Sequence, residues 1–196
     1  MRDKPTTVFD LPDGSVLEIH QDCNSDSPRE WDNLGTMVCF HDRYNLGDKH
    51  DFDQKHYSNW DEFRRMLEEE EKAVVIFPIF MYDHGGVTIK TTPFSCPWDS
   101  GQIGFIYVTD EDIADNFISE GRSKKELRER ARECLLGEIE EYNKFLMGEV
   151  YGYVLKDKDG EETDSCWGFI GREHCYDCIA EIVGKEVWEK AEERED

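Results

Sequence analysis

The most apolar run of the chain is Ala73–Tyr82 (AVVIFPIFMY), ten residues with no charge. Its length and its β-branched and aromatic residues predict a central strand, and Pro78 in its middle demands a bulge or a free edge. Downstream, Val87–Thr92 is a second short strand. Ile103, Phe105 and Tyr107 then alternate with Gly104, Ile106 and Val108 in a third. Three successive strands with short connections predict an antiparallel meander. Upstream, Thr6–Leu11 and Ser15–Gln21 flank Pro12-Asp13-Gly14 as a hairpin, and Thr36–His41 is a further short strand. Val150–Asp157 and Glu161–Phe169 form another hairpin around Lys158-Asp159-Gly160.

Period-3.6 patterns fill the gaps. Ser58 with Asp61 predicts a helix start, and Trp60, Phe63, Met66 and Leu67 supply its buried stripe. Thr109 with Asp112 opens a short helical turn through Phe117. Ser123 with Glu126 caps the longest helix, which runs to Met147 and buries Leu127, Ala131, Cys134, Leu135, Ile139, Tyr142, Phe145 and Leu146. A last helix is expected over Glu173–Arg194, burying Ile179, Ile182, Val183, Val187 and Trp188. Asp22–Gly35 is polar loop, with Trp31 as its anchor to the body. These elements define one α+β domain over 1–196: an antiparallel sheet with two long helices packed on it.

Charge changes the picture more than composition does. Among 196 residues, 46 acidic side chains face 23 basic ones, for a net charge of −23. Duplex DNA carries that charge over roughly 11–12 base pairs, or about 40 Å of helix. A compact chain of this length has a diameter of about 40 Å, so mimicry of DNA is a live reading and direct contact with nucleic acid is disfavoured. The plainer reading is that the charge keeps an abundant protein in solution. No apolar run reaches membrane-spanning length, and Met1–Pro5 leads straight into polar sequence without an export signal. A cytoplasmic location is therefore expected, with the seven cysteines reduced.

The run Pro93–Gln102 (PFSCPWDSGQ) has the densest chemistry. Together with Asp32–Asp48 (DNLGTMVCFHDRYNLGD), Tyr82–Gly86 (YDHGG) and Asp164–Phe169 (DSCWGF) it resembles a family of small acidic proteins of bacteriophages and mobile elements. The resemblance covers most of the chain. It implies an accessory role directed at the host rather than virion structure, and it supplies no catalytic residues.

If the strands lie as expected, the loops Asp42–Asp48, Asp83–Gly86 and Phe94–Gln102 meet at one sheet end. His41, Arg43, Tyr44, Asp83, His84, Trp98, Asp99 and Gln102 then line a polar and aromatic pocket, suited to stacking and directional hydrogen bonds. The alternative is that these side chains merely tie loops together. Within the central loop, Trp98 is expected to bury its ring beneath Phe94 and Phe105, leaving Asp99 for the site. Cys96 with His84 or His41 and Asp99 would make a nucleophile, base and orienter only if they meet in space; a structural thiol is the plainer reading. Cys166, His174, Cys175 and Cys178 have the one spacing that suits zinc, yet thiols packed on a helix explain it as well. No metal and no cofactor is expected, and no catalytic signature is present.

Two functions follow. The first is an acidic accessory protein that binds and inhibits a host nucleic-acid-acting defence protein, such as a CRISPR or restriction component, through its basic nucleic-acid-binding surface. The second is a binder or hydrolase of a small nucleotide-like ligand, using the loop pocket around His41, His84 and Asp99.

Overall fold

The computed structural model describes residues 4–118 and 121–194. In chain order its elements are β1 (Thr7–Asp10), β2 (Val16–Gln21), β3 (Thr36–Cys39), α1 (Trp60–Glu69), β4 (Ala73–Asp83), β5 (Val87–Lys90), β6 (Ser100–Thr109), α2 (Asp110–Asn116), α3 (Lys124–Leu146), β7 (Val150–Lys156), β8 (Glu162–Ile170), α4 (Arg172–Val183), α5 (Lys185–Trp188) and β9 (Glu192–Glu193). The class is α+β, as the patterning predicts, but the strands form two antiparallel sheets rather than one. The chain divides into two units, one of Met1–Ser27 with Lys144–Asp196 and one of Pro28–Asn143.

In the first unit the sheet order is β8-β7-β2-β1-β9. Both expected hairpins are present, β1 with β2 and β7 with β8, and β2 pairs with β7 to join them. Leu17, Ile19, Tyr153, Cys175 and Ile179 form the core, with Trp188 packed against Phe9 and Tyr176. The expected long terminal helix is broken: Gly184 takes φ +90° between α4 and α5, a conformation that suits glycine and stops the helix. Past α5 the chain returns as β9 to pair with β1, and Ile182, expected in the core, is half exposed.

The second unit carries the order β3-β6-β4-β5. The expected meander is not formed. β4 lies between β5 and β6, so the segment 91–99 carries the chain from one side of β4 to the other. The nine residues of 91–99 are long enough for that crossing, and β4, apolar along its length, can accept a neighbour on each side. β5 covers β4 only at Phe80–Asp83, which leaves a free edge beside Pro78, and register shifts flank the proline at Ala73/Val75 and Ile79/Phe80. β6 is buried on both faces from Ile103 to Val108. A Cβ at Gly104 would sit 1.9 Å from the Val38 carbonyl oxygen, so the close approach of β3 to β6 requires glycine there.

Phe63, Leu67, Val38, Ile76, Phe105 and Tyr107 form the core between α1 and this sheet. Asn59, one residue later than expected, caps α1: its side chain accepts from Glu62 N, while Glu62 accepts from Ser58 N. Thr109 and Asp112 make the expected capping box of α2, and Ser123 with Glu126 does the same work before α3. α3 buries Leu127, Ala131, Leu135, Ile139 and Tyr142, as its stripe predicts. Trp31 does not anchor its loop; it is half exposed, and the neighbouring Arg29 does so instead.

Candidate functional site

Arg29 is 3 % exposed, and its guanidinium is fully engaged. Nε and Nη2 donate to the two oxygens of Asp48 (2.8 and 2.7 Å), Nη1 donates to Glu138 Oε2 (2.9 Å), and Nη2 also meets the Gly35 carbonyl (2.6 Å). Burial opposes the charge of Arg29, but the hydrogen bonds and charges of Asp48 and Glu138 outweigh it and push the group above its ordinary value. Asp48 also accepts from Met37 N (2.7 Å), and Gly47 N donates to Tyr142 Oη (3.2 Å). The end of the segment 40–48 is thus clamped to β3 and α3.

Within that segment His41 organises the backbone. Its Nδ1 accepts from the N–H groups of Arg43 (3.2 Å) and Tyr44 (3.3 Å), and its ring stacks on Tyr44 at 5.1 Å. Tyr44 Oη and Arg43 Nη2 both donate to Asp83 Oδ2, at 3.1 and 2.5 Å. Asp83, at the end of β4, is the tie between this loop and the sheet.

The third loop closes on the same carboxylate residue. Asp83 N donates to the Asp99 carbonyl (2.9 Å), and His84 Nδ1 lies 3.4 Å from Asp99 Oδ2. Cys96 Sγ donates to that same oxygen (3.7 Å), and Ser100 Oγ donates to the Cys96 carbonyl (2.5 Å). Tyr82 stacks with both Phe94 and His84, and Lys90 Nζ sits 4.1 Å over the Phe94 ring. The turn is therefore held by its own bonds and by β4.

The three loops meet. His41, Arg43, Asp83, Trp98 and Asp99 line an open cleft of about 300 Å³ floored by Met81 and Ile103. Tyr44 and His84 are not in its lining, but Tyr44 donates to Asp83 and His84 lies against Asp99. Gln102 does not join them: it is on β6 and donates to the Gly104 carbonyl (3.3 Å).

Trp98 reverses the expectation for it. It is 91 % exposed and has no ring contact among the described residues. The places foreseen for it are taken: Phe94 is covered by Tyr82, and Phe105 packs on Trp60 and Phe63.

The nucleophile arrangement is not assembled either. Thiol and imidazole both lie on Asp99 Oδ2, with the carboxylate between them and no Cys96–His84 contact. Among the described residues no group of three or more His, Cys, Asp or Glu side chains is placed to hold a metal ion. Cys175 is buried, and burial, reinforced by the neighbouring Cys178 and Cys166, pushes its thiol up to about 12.

Sequence reasoning missed the Arg29, Asp48 and Glu138 cluster, because nothing local links residues 19 and 109 positions apart. It also missed a larger cleft of about 510 Å³ on the 39–55 segment, with Phe40, Tyr44, His50 and Phe52 in its lining. There His50 Nε2 lies 3.0 Å from the Cys39 carbonyl, which fixes it as the donor. Among the described residues His50 Nδ1 is buried without a partner.

The site is thus a set of loops on an antiparallel sheet that present an indole and two carboxylates. No protein-family model, curated protein or solved structure matches the chain. No helix among the described residues is long and apolar enough to cross a membrane.

Proposed function

We propose that this is an acidic accessory protein of a bacteriophage or mobile element that binds a host defence protein on its basic, nucleic-acid-binding surface and so inhibits it. The observation that carries the reading is how the basic side chains are used. Of a set outnumbered 23 to 46, Arg29, Arg43, Arg128, Lys144, Lys156 and Arg194 are each spent on an intramolecular carboxylate. The field offered to a partner is then strongly negative, as it is around a nucleic acid. Exposed carboxylates recur in each unit, at Glu68, Glu69 and Glu70 around the end of α1 and at Asp159, Glu161 and Glu162 around the start of β8. CRISPR and restriction components are the partner class with the matching charge.

A nucleotide-like ligand fits the loop cleft less well. Its phosphates would face the carboxylates of Asp83 and Asp99, while Arg43 is already paired with Asp83.

The test is a pull-down from host lysate at low salt, with bound proteins identified and the purified candidate assayed for nucleic-acid cleavage or binding. A nucleic-acid-handling protein, released as salt rises and inhibited in proportion to the amount added, is the expected result. Recovery of no such protein overturns the proposal.

A further inference from the structure

We propose that the loop cleft takes an arginine side chain of the partner's basic surface. Its guanidinium lies against the Trp98 ring, and its N–H groups reach the carboxylates of Asp83 and Asp99. This rests on the binding function proposed above and names its anchor.

Three observations converge on it. Trp98 is 91 % exposed, yet the loop that holds it is fixed by Ser100–Cys96 and Asp83–Asp99 hydrogen bonds. The indole is therefore presented at little further ordering cost, which is how aromatic anchors of interfaces act. Second, the cleft carries two carboxylates against one guanidinium. Asp83 and Asp99 use Oδ2 for Arg43, Tyr44, Cys96 and His84, and among the described residues Oδ1 of each has no hydrogen bond. Two acceptors beside one ring suit a planar, multiply donating cation.

The third observation is an arrangement the chain already uses. Arg43 sits 5.4 Å from the Tyr44 ring centroid while donating to Asp83. Trp98 and Asp99 offer a second aromatic ring and carboxylate in the lining of the same cleft, and among the described residues no arginine or lysine is paired with either. A lysine satisfies this geometry less well, because its ammonium is a strongly hydrated point charge and offers no plane to stack.

The experiment uses two peptides of equal length and charge, one of arginine and one of lysine, titrated against the full chain and its Trp98→Ala variant at low salt. The exposed indole supports no core, so the variant should melt with the parent. Expected is tighter binding of the arginine peptide by the parent, and a loss of about tenfold for that peptide alone in Trp98→Ala. Asp99→Asn should weaken both peptides. Salt-sensitive binding of both peptides that Trp98→Ala leaves unchanged, or lowers equally, overturns the anchor and leaves the acidic-surface reading standing. No binding of either peptide overturns both.

Discussion

Arg29 and Asp48 lie nineteen positions apart and meet through two parallel hydrogen bonds, 2.8 and 2.7 Å long, with the arginine side chain 3 % exposed. Glu138 completes the group from α3 and turns its own oxygens to the N–H groups of Leu34 and Gly35. One buried cation thus holds the loop before β3, the end of the loop after β3, and a helix. Removing it leaves two poorly solvated carboxylates facing each other. Arg29→Ala should therefore destabilise the protein by about 3–5 kcal/mol, measured by urea unfolding. A loss below about 1 kcal/mol would class the group with surface ion pairs.

Aromatic residues divide into scaffold and surface. Phe63 is 1 % exposed and contacts Phe40, Phe52, Tyr57, Trp60 and Phe105, so Phe63→Ala should cost about 3–5 kcal/mol. Trp98→Ala should change stability by no more than about 0.5 kcal/mol. Thermal melts of the two variants side by side check both; a large loss in the second would mean that the indole packs in solution.

Local physics made most elements legible. The capping boxes before α2 and α3, the two hairpins and the apolar stripe of α3 are short-range features, and each is present. Pairing order was not legible, because either edge of β4 accepts a strand and periodicity does not say which strand takes it. The convergence of His41, Arg43, Asp83 and Asp99 could be anticipated, since all stand at strand ends that share a sheet. Trp98 was misread because burial of an indole is the usual outcome, and the fact that Tyr82 takes the face of Phe94 depends on three-dimensional register.

Asp83 should couple two loops that share no covalent link. Its carboxylate takes Arg43 and Tyr44, and its N–H takes the Asp99 carbonyl. In Asp83→Ala the backbone bond survives and the side-chain ties go. Amide exchange should then rise by about fivefold or more across 41–46, as expected for losing contacts worth about 1 kcal/mol or more, while the 96–100 turn stays protected. Faster exchange in both loops alike would show that they open as one piece.

Alkaline pH should weaken the fold through two buried thiols. Burial, with the charge of Asp48 adding to it, pushes Cys39 up to about 12, and burial with the neighbouring Cys178 and Cys166 does the same to Cys175; the ordinary value is 9.0. Both groups are harder to deprotonate when folded, so between those values the folded state keeps protons that the unfolded state has released. Stability must then fall as pH rises, from about pH 9 upward, and the contribution is fully present below it. Each thiol supplies a slope of about 1.4 kcal/mol per pH unit, and Tyr153, raised by burial and by its bond to Asp164, adds to the loss at higher pH. Urea unfolding at steps from neutral pH to pH 10.5 reads the slope directly. Cys39→Ala and Cys175→Ala lower the starting stability through the small cavities they leave, but each should also flatten the alkaline limb. An unchanged limb in both variants would place the alkaline sensitivity in other groups.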